Sequence, residues 1–179
     1  MGRKPNSGGA WQTRLKRLAE NIETLAKKDE AALGRAREIL ELRHHAAREL
    51  HAICADFVAS LNHLLSQPLV HLDPAELSAD GIREEGNLFQ INVRGRILQV
   101  EFKPTPELVS TEEFRVPYTL EGTVRAFNQT LLDKDLIQEQ LLFYTVESHR
   151  RMWRFFDART YRTGPFDREY LIGLMEAII

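Results

Sequence analysis

Few residues in this sequence stand at spacings that do chemistry, and each such spacing points to a different reaction class. Glu41 and His44 form a Glu-x-x-His step, which in carboxylate-bridged di-iron bundles puts two ligands on one helix face. Such a centre needs the step on two helices and further glutamates, and the chain holds one copy. His51 and Cys54 stand three apart and offer two zinc ligands, but no second pair follows at a spacing that completes a tetrahedral site. In the heptad frame described below, His44 and His51 fall on the outer side of their helix, so solvated polar side chains are the plainer reading. Cys54 lies next to the apolar seam and reads as a small buried hydrophobe rather than a low-pKa thiolate. Asp133 and Asp135 fall in a polar connection, where such residues serve turn chemistry. There is no G-x-S-x-G, no Gly-rich phosphate loop and no G-K-[ST]. No catalytic, metal-binding or cofactor-binding residue is assigned, no cofactor is expected, and an enzyme is expected less than a binding protein.

One constellation remains. His149-Arg150-Arg151-Met152-Trp153-Arg154-Phe155-Phe156-Asp157-Ala158-Arg159-Thr160-Tyr161-Arg162 interleaves arginines with aromatic rings, as nucleic-acid surfaces do when guanidinium groups hold phosphates and rings stack on bases. Arg150, Arg151, Arg154, Arg159 and Arg162 are the candidate anion or nucleic-acid contacts. The strand period divides them: Trp153 and Phe155 face one way, Met152, Arg154 and Phe156 the other. A core strand flanked by solvated arginines is therefore the stronger reading, with Arg159 pairing with Asp157 or Asp167. Arg3-Lys4-Pro5 supplies a second basic cluster in what reads as a flexible arm.

Charge is unevenly spread behind a formal net of −2. Residues 73–121 carry ten carboxylates against five basic side chains, whereas residues 1–28 and 149–168 are basic. A single cysteine excludes an intrachain disulfide, so no oxidising compartment is required. The longest apolar runs are four or five residues, against the ~20 of a membrane span, and the N-terminus lacks a secretory h-region. Cytoplasmic residence without membrane contact is the default expectation.

The elements that must position these groups follow from periodicity. Residues 1–10 read as a flexible basic tail. Residues 11–66 contain no proline, and Gly34 alone interrupts good helix formers before Pro68 ends the run. Apolar residues recur there at steps of three and four: Leu15, Leu18, Ile22, Leu25, Ala32, Ala36, Ile39, Ala46, Leu50, Ile53, Phe57, Leu64, with Asp29 and Arg43 as polar members. This is a heptad seam. One continuous helix is expected, with a hairpin break near Gly34 as the alternative.

Residues 69–179 read as an α+β domain of four or five antiparallel strands and a C-terminal helix packed on them. Leu88–Val93 and Arg96–Lys103 alternate around Arg94-Gly95 as a hairpin. Pro104-Thr105-Pro106 should force a loop. Phe114–Leu120 alternates with Pro117 out of phase, which places that strand at an edge. Gly122 should mark a bend or bulge before Thr123–Phe127. Strands are also expected over Glu139–Val146 and Met152–Asp157, while residues 130–138 fit either a helical turn or a loop. Gly164-Pro165 should break the chain, with Asp167 as N-cap and Phe166 and Leu171 in hydrophobic-staple positions.

Magnitudes then suggest a role. A helix over 11–66 would run roughly 80 Å at 1.5 Å per residue, whereas strands of five or six residues span about 17–20 Å. The wide apolar face from Leu50 to Leu65 suits packing on the sheet. The seam residues Leu15, Leu18, Ile22 and Leu25 need another partner. The favoured reading is a non-enzymatic assembly module that homodimerises through this seam and engages a protein partner through its sheet domain. A nucleic-acid-binding protein and a small-ligand binder or enzyme without a linear motif are the alternatives.

Overall fold

The computed structural model describes residues 8–179. The chain divides into two compact units, the first ending at Glu41 and the second spanning Leu42–Ile179. A single α-helix, α1 (Gly8–Leu64), contains the boundary and continues through Gly34. It starts earlier than residue 11, so Gly8–Ala10 of the expected tail are helical; the rest of that tail, with Arg3 and Lys4, lies outside the described residues. In the first unit the seam residues Leu15, Leu18, Ile22 and Leu25 are 54–58% exposed, and Ile39 is half-buried.

The second unit is a seven-stranded antiparallel sheet with helices on one face. The strands are β1 (Val70–Asp73), β2 (Asn87–Val93), β3 (Arg96–Val109), β4 (Tyr118–Phe127), β5 (Gln138–Glu147), β6 (Arg150–Asp157) and β7 (Arg162–Pro165). Their spatial order is their chain order, a plain meander. A short helix α2 (Gln129–Asp133) joins β4 to β5, and α3 (Arg168–Glu176) follows β7.

The sheet thus has seven strands rather than four or five, for two local reasons. β1 is only four residues long, too short for alternation to register; it is held by Asn62, whose side-chain amide donates to the Val70 carbonyl and accepts from the Val70 amide at 2.8 and 3.0 Å. β7 is also only four residues long and ends at Gly164-Pro165 as expected; proline is tolerated in it because β7 is the sheet edge and proline there forfeits no ladder bond. Pro104-Thr105-Pro106, expected to force a loop, does not leave the sheet. Pro104 pairs with Leu120 and Val109 with Tyr118, so Thr105–Leu108 stand opposite Thr119 alone as a large bulge.

Two further expectations are corrected. Phe114–Pro117 lie outside the strand, which begins at Tyr118 and is fourth of seven. Pro117 therefore needs no ladder donor, and its carbonyl accepts from Val146 N at 2.8 Å. Gly122 does not end or bend the strand out of register: it pairs with Phe102 on one side and Leu142 on the other. A Cβ there would stand 1.9 Å from the Glu101 carbonyl oxygen, so only glycine allows β3 to come this close.

The hairpin β2–β3 turns through Arg94 (φ 49°) and Gly95 (φ 88°), the left-handed pair that a two-residue turn needs. Residues 129–133 resolve the ambiguous stretch as a helical turn, capped by the Asn128 side chain accepting from Leu131 N. Asp167 caps α3 by accepting from Tyr170 N, and Phe166, Leu171, Met175 and Ile178 are buried behind it.

One face of the sheet carries the main core. Phe89, Ile91, Leu98, Val100, Phe102, Leu120, Val124, Leu142, Tyr144 and Trp153 pack with Ala46, Ala47, Leu50, Cys54 and Phe57 of α1 and with Leu171, Met175 and Ile178. The small Ala46 and Ala47 let the helix approach, and the Trp153 indole N–H donates to the Ala46 carbonyl at 2.7 Å. Edge-to-face rings link His51 to Phe89, Phe89 to Phe102 and Phe102 to Trp153 at 5.2–5.4 Å.

Arg43, read from the sequence as a polar member of the seam, is an anchor for the bulge. Its Nε donates to Thr119 Oγ1 at 2.9 Å and its Nη2 donates to the Thr105 carbonyl. Thr105 and Thr119 are both buried. Burial lowers the Arg43 pKa from its ordinary value, with nearby Glu84 opposing. Arg43→Leu keeps the apolar stem but leaves these acceptors without donors, so stability is expected to fall by about 1–3 kcal/mol in urea unfolding.

Candidate functional site

The opposite face of the sheet holds a concavity. By register, Leu88, Glu101, Thr123, Leu141 and Phe156 form one row across β2–β6, and Lys103, Glu121, Phe143 and Arg154 form the next across β3–β6. The segment between β3 and β4 folds over these rows. Thr111 shapes it: its amide donates to the Phe114 carbonyl at 2.9 Å, and its hydroxyl accepts from Phe114 N at 3.0 Å. That turn directs Phe114 onto the sheet, where its ring stacks on Phe143 with centroids 4.5 Å apart and an interplanar angle of 21°. Tyr118 and Phe156 complete a second aromatic core with Phe114 and Phe143, backed by Val109, Val116 and Leu141.

Beside this cluster lies a cavity of about 850 Å³. One wall is the Thr111–Phe114 turn. The other is the approach to β2, pinned by Asn87, whose side chain accepts from Arg83 N at 2.9 Å and donates to the Arg83 and Phe102 carbonyls at 3.0 and 3.2 Å. The lining is aromatic and aliphatic at the base and acidic elsewhere: Glu85, Glu101, Glu112, Glu113 and Glu121 face it with Lys103 as the one basic side chain. Lys103 approaches Glu121 no closer than 4.0 Å, and both are solvated, so little of the negative charge is neutralised. The Tyr118 hydroxyl is raised above its ordinary pKa by burial and then by Glu121.

The candidate anion contacts do not converge. Arg150 and Arg154 point to the cavity side of β6, and Arg151 to the helix side. Arg162, on β7 and paired with Asp157 of β6, lies at the sheet edge. Arg159 sits in the turn between β6 and β7, its Nη2 donating to Gln138 Oε1 at 3.1 Å and its Nε 3.7 Å from Asp157. Asp157 is held below the usual carboxylate range, first by the Arg159 backbone N–H. Arg154 Nε is buried without a hydrogen-bond partner. A duplex or single strand laid on any one face would meet two or three of these arginines, and on the cavity side it would also meet the carboxylates.

The histidines are not on an outer face. His51 is buried, edge-on to Phe89, with Nε2 2.9 Å from the Pro74 carbonyl, so that nitrogen carries the proton. His44 is half-buried and lies against Gly81, where an added Cβ would meet its ring at 2.7 Å. The correction has a geometric cause. Past Leu42 the buried stripe widens: Ala46, Leu50 and Phe57 of the seam stay buried, and Ala47, His51 and Cys54 join them. Among the described residues no three His, Cys, Asp or Glu side chains cluster to hold a metal ion.

Cys54 is fully buried, and burial pushes its thiol up to about 12. It is therefore expected to resist iodoacetamide at pH 8 in the folded protein and to react at once in guanidinium, a contrast that mass spectrometry reads directly. Burial, aided by Glu49, also pushes the Tyr144 hydroxyl to about 12, and burial raises Tyr170 further. All three groups are neutral in the fold and ionise more easily unfolded. The stability they contribute is complete below about pH 9 and is lost as pH rises toward 12, so alkaline melts should show a falling Tm in that window.

Sequence reasoning missed the cavity because its lining comes from five strands and two loops. The acidic excess over residues 73–121 was its one linear sign. No helix among the described residues is long and apolar enough to cross a membrane. No protein-family model, curated protein or solved structure matches this chain.

Proposed function

We propose that this chain is a self-associating interaction module that pairs as a two-fold homodimer through Leu15, Leu18, Ile22 and Leu25 and so carries two sheet domains in one particle. One observation supports the reading most. These four side chains lie at steps of three and four on a regular helix and are each more than half exposed in the single chain. Leaving such a side chain in water forgoes roughly 1.5–3 kcal/mol, and helix pairing is the arrangement that recovers it along a 3.5-residue repeat. Ala19 and Ala26 flank the seam and are small enough to permit close approach. Two-fold pairing is favoured because closed dimers are the commonest oligomer.

The sheet domain would then engage a protein partner, with no catalytic step of its own. Cytoplasmic residence belongs to the same proposal, since the buried Cys54 needs no oxidising compartment. Light scattering across a concentration series tests the self-association, with a particle of twice the chain mass as the expected result. The nucleic-acid reading has less support, since its arginines are divided between faces.

A further inference from the structure

The cavity beside the aromatic cluster has no part in self-association and has its own chemistry. We propose that it is a binding site for a small amphiphilic organic cation, a molecule with an apolar body and an ammonium or amidinium head. Three observations carry this. The volume, about 850 Å³, falls within the ~300–1,000 Å³ that encloses ligands of drug size. The base is apolar, with Leu141, Phe143 and Phe156 from the sheet and Phe114 from the turn above it. The remaining lining carries five carboxylates against one lysine. An apolar body would rest on this base while its cation meets the glutamates.

The same geometry rejects other occupants. An anion would meet uncompensated carboxylates. Arg154 does not line the cavity; in its row Phe143 stands between it and Glu121. A peptide laid over the floor of the cavity would find no strand edge, because Glu101 and Phe102 of β3, Glu121, Gly122 and Thr123 of β4, and Leu141 and Phe143 of β5 are each paired on both sides. Its own backbone N–H and C=O groups would then lack the partners that strand addition provides. A compact amphiphile has no such requirement.

The test uses three probes with one tail on the full chain: octyltrimethylammonium, octyl glucoside and octyl sulfate, each below its micelle concentration, followed by calorimetry and by amide chemical shifts. The ammonium is expected to bind about tenfold more tightly than the glucoside, with octyl sulfate weakest, and to move amides of residues 111–123 and 141–143. Its advantage should shrink as salt rises. Glu112 and Glu113 are exposed, so Glu112→Gln with Glu113→Gln should leave the melting temperature unchanged. It should weaken the ammonium about fivefold or more while sparing the glucoside. Equal affinity for all three probes, preference for the sulfate, or no binding at millimolar concentration overturns the proposal. Tighter binding of an acetylated, amidated Leu-Lys-Phe peptide than of the ammonium overturns the small-molecule assignment.

Discussion

Leu18→Glu combined with Ile22→Glu is expected to convert a dimer into a monomer without disturbing the sheet domain. Both positions are more than half exposed in the single chain, and glutamate is as good a helix former as leucine, so α1 should persist. In a dimer the double substitution removes four buried side chains and places four like charges along one seam. At the low end of roughly 1.5 kcal/mol per side chain, the loss is about 6 kcal/mol. Since 1.4 kcal/mol is tenfold, the dissociation constant should rise by more than about 1,000-fold. Sedimentation velocity reads this as a change from twice the chain mass to 20.7 kDa. The high-temperature unfolding step should stay in place, because none of the main-core residues comes from the first unit. A wild-type chain that sediments as a single molecule from micromolar to millimolar concentration would falsify the assembly reading outright.

The second large effect lies inside the sheet. Gly122→Ala places a methyl carbon 1.9 Å from the Glu101 carbonyl oxygen and 2.8 Å from Phe102 Cα. Both obstacles are backbone, so no rotamer change relieves them, and β3 and β4 must separate locally. That disturbs Phe102, which packs edge-on to Trp153 at 5.4 Å. The expected cost is about 2–4 kcal/mol in urea unfolding. Gly34→Ala is the control. Nothing lies within 4 Å of its added Cβ, and the residue is helical, so the same chemical change should stabilise α1 locally by about 1 kcal/mol. If both alanine variants unfold like the parent, the close approach of β3 to β4 does not occur.

The contrast between those glycines shows what the sequence could and could not convey. The β2–β3 hairpin was legible because two alternating runs flank Arg94-Gly95, and the local pattern and the tertiary pairing ask for the same thing. The C-terminal helix was legible for a similar reason, with Asp167 as cap and Phe166 and Leu171 fixing the approach. Local signals failed where tertiary structure overrode them. Pro104 stays in a ladder because a bulge absorbs the residues after it, and Pro165 is tolerated because its strand has one neighbour. His51 was placed on the wrong side because the buried face of α1 beside the sheet is wider than the seam. The cavity escaped almost wholly. Leu141 and Phe143 read only as alternate positions of a strand, and nothing in their spacing says that Phe114 will be folded down beside them.

The meander also leaves the sheet with two unpaired rims, and their length matters. β1 and β7 are four residues each, whereas β3, β4 and β5 have 14, 10 and 10. A long, flat rim would offer a row of free amides on which a neighbouring chain could polymerise. Here the outermost strands are stubs, one clipped by a helix asparagine and the other ending in a proline. In the proposed dimer, outermost strands this short would limit a second, edge-to-edge contact between copies.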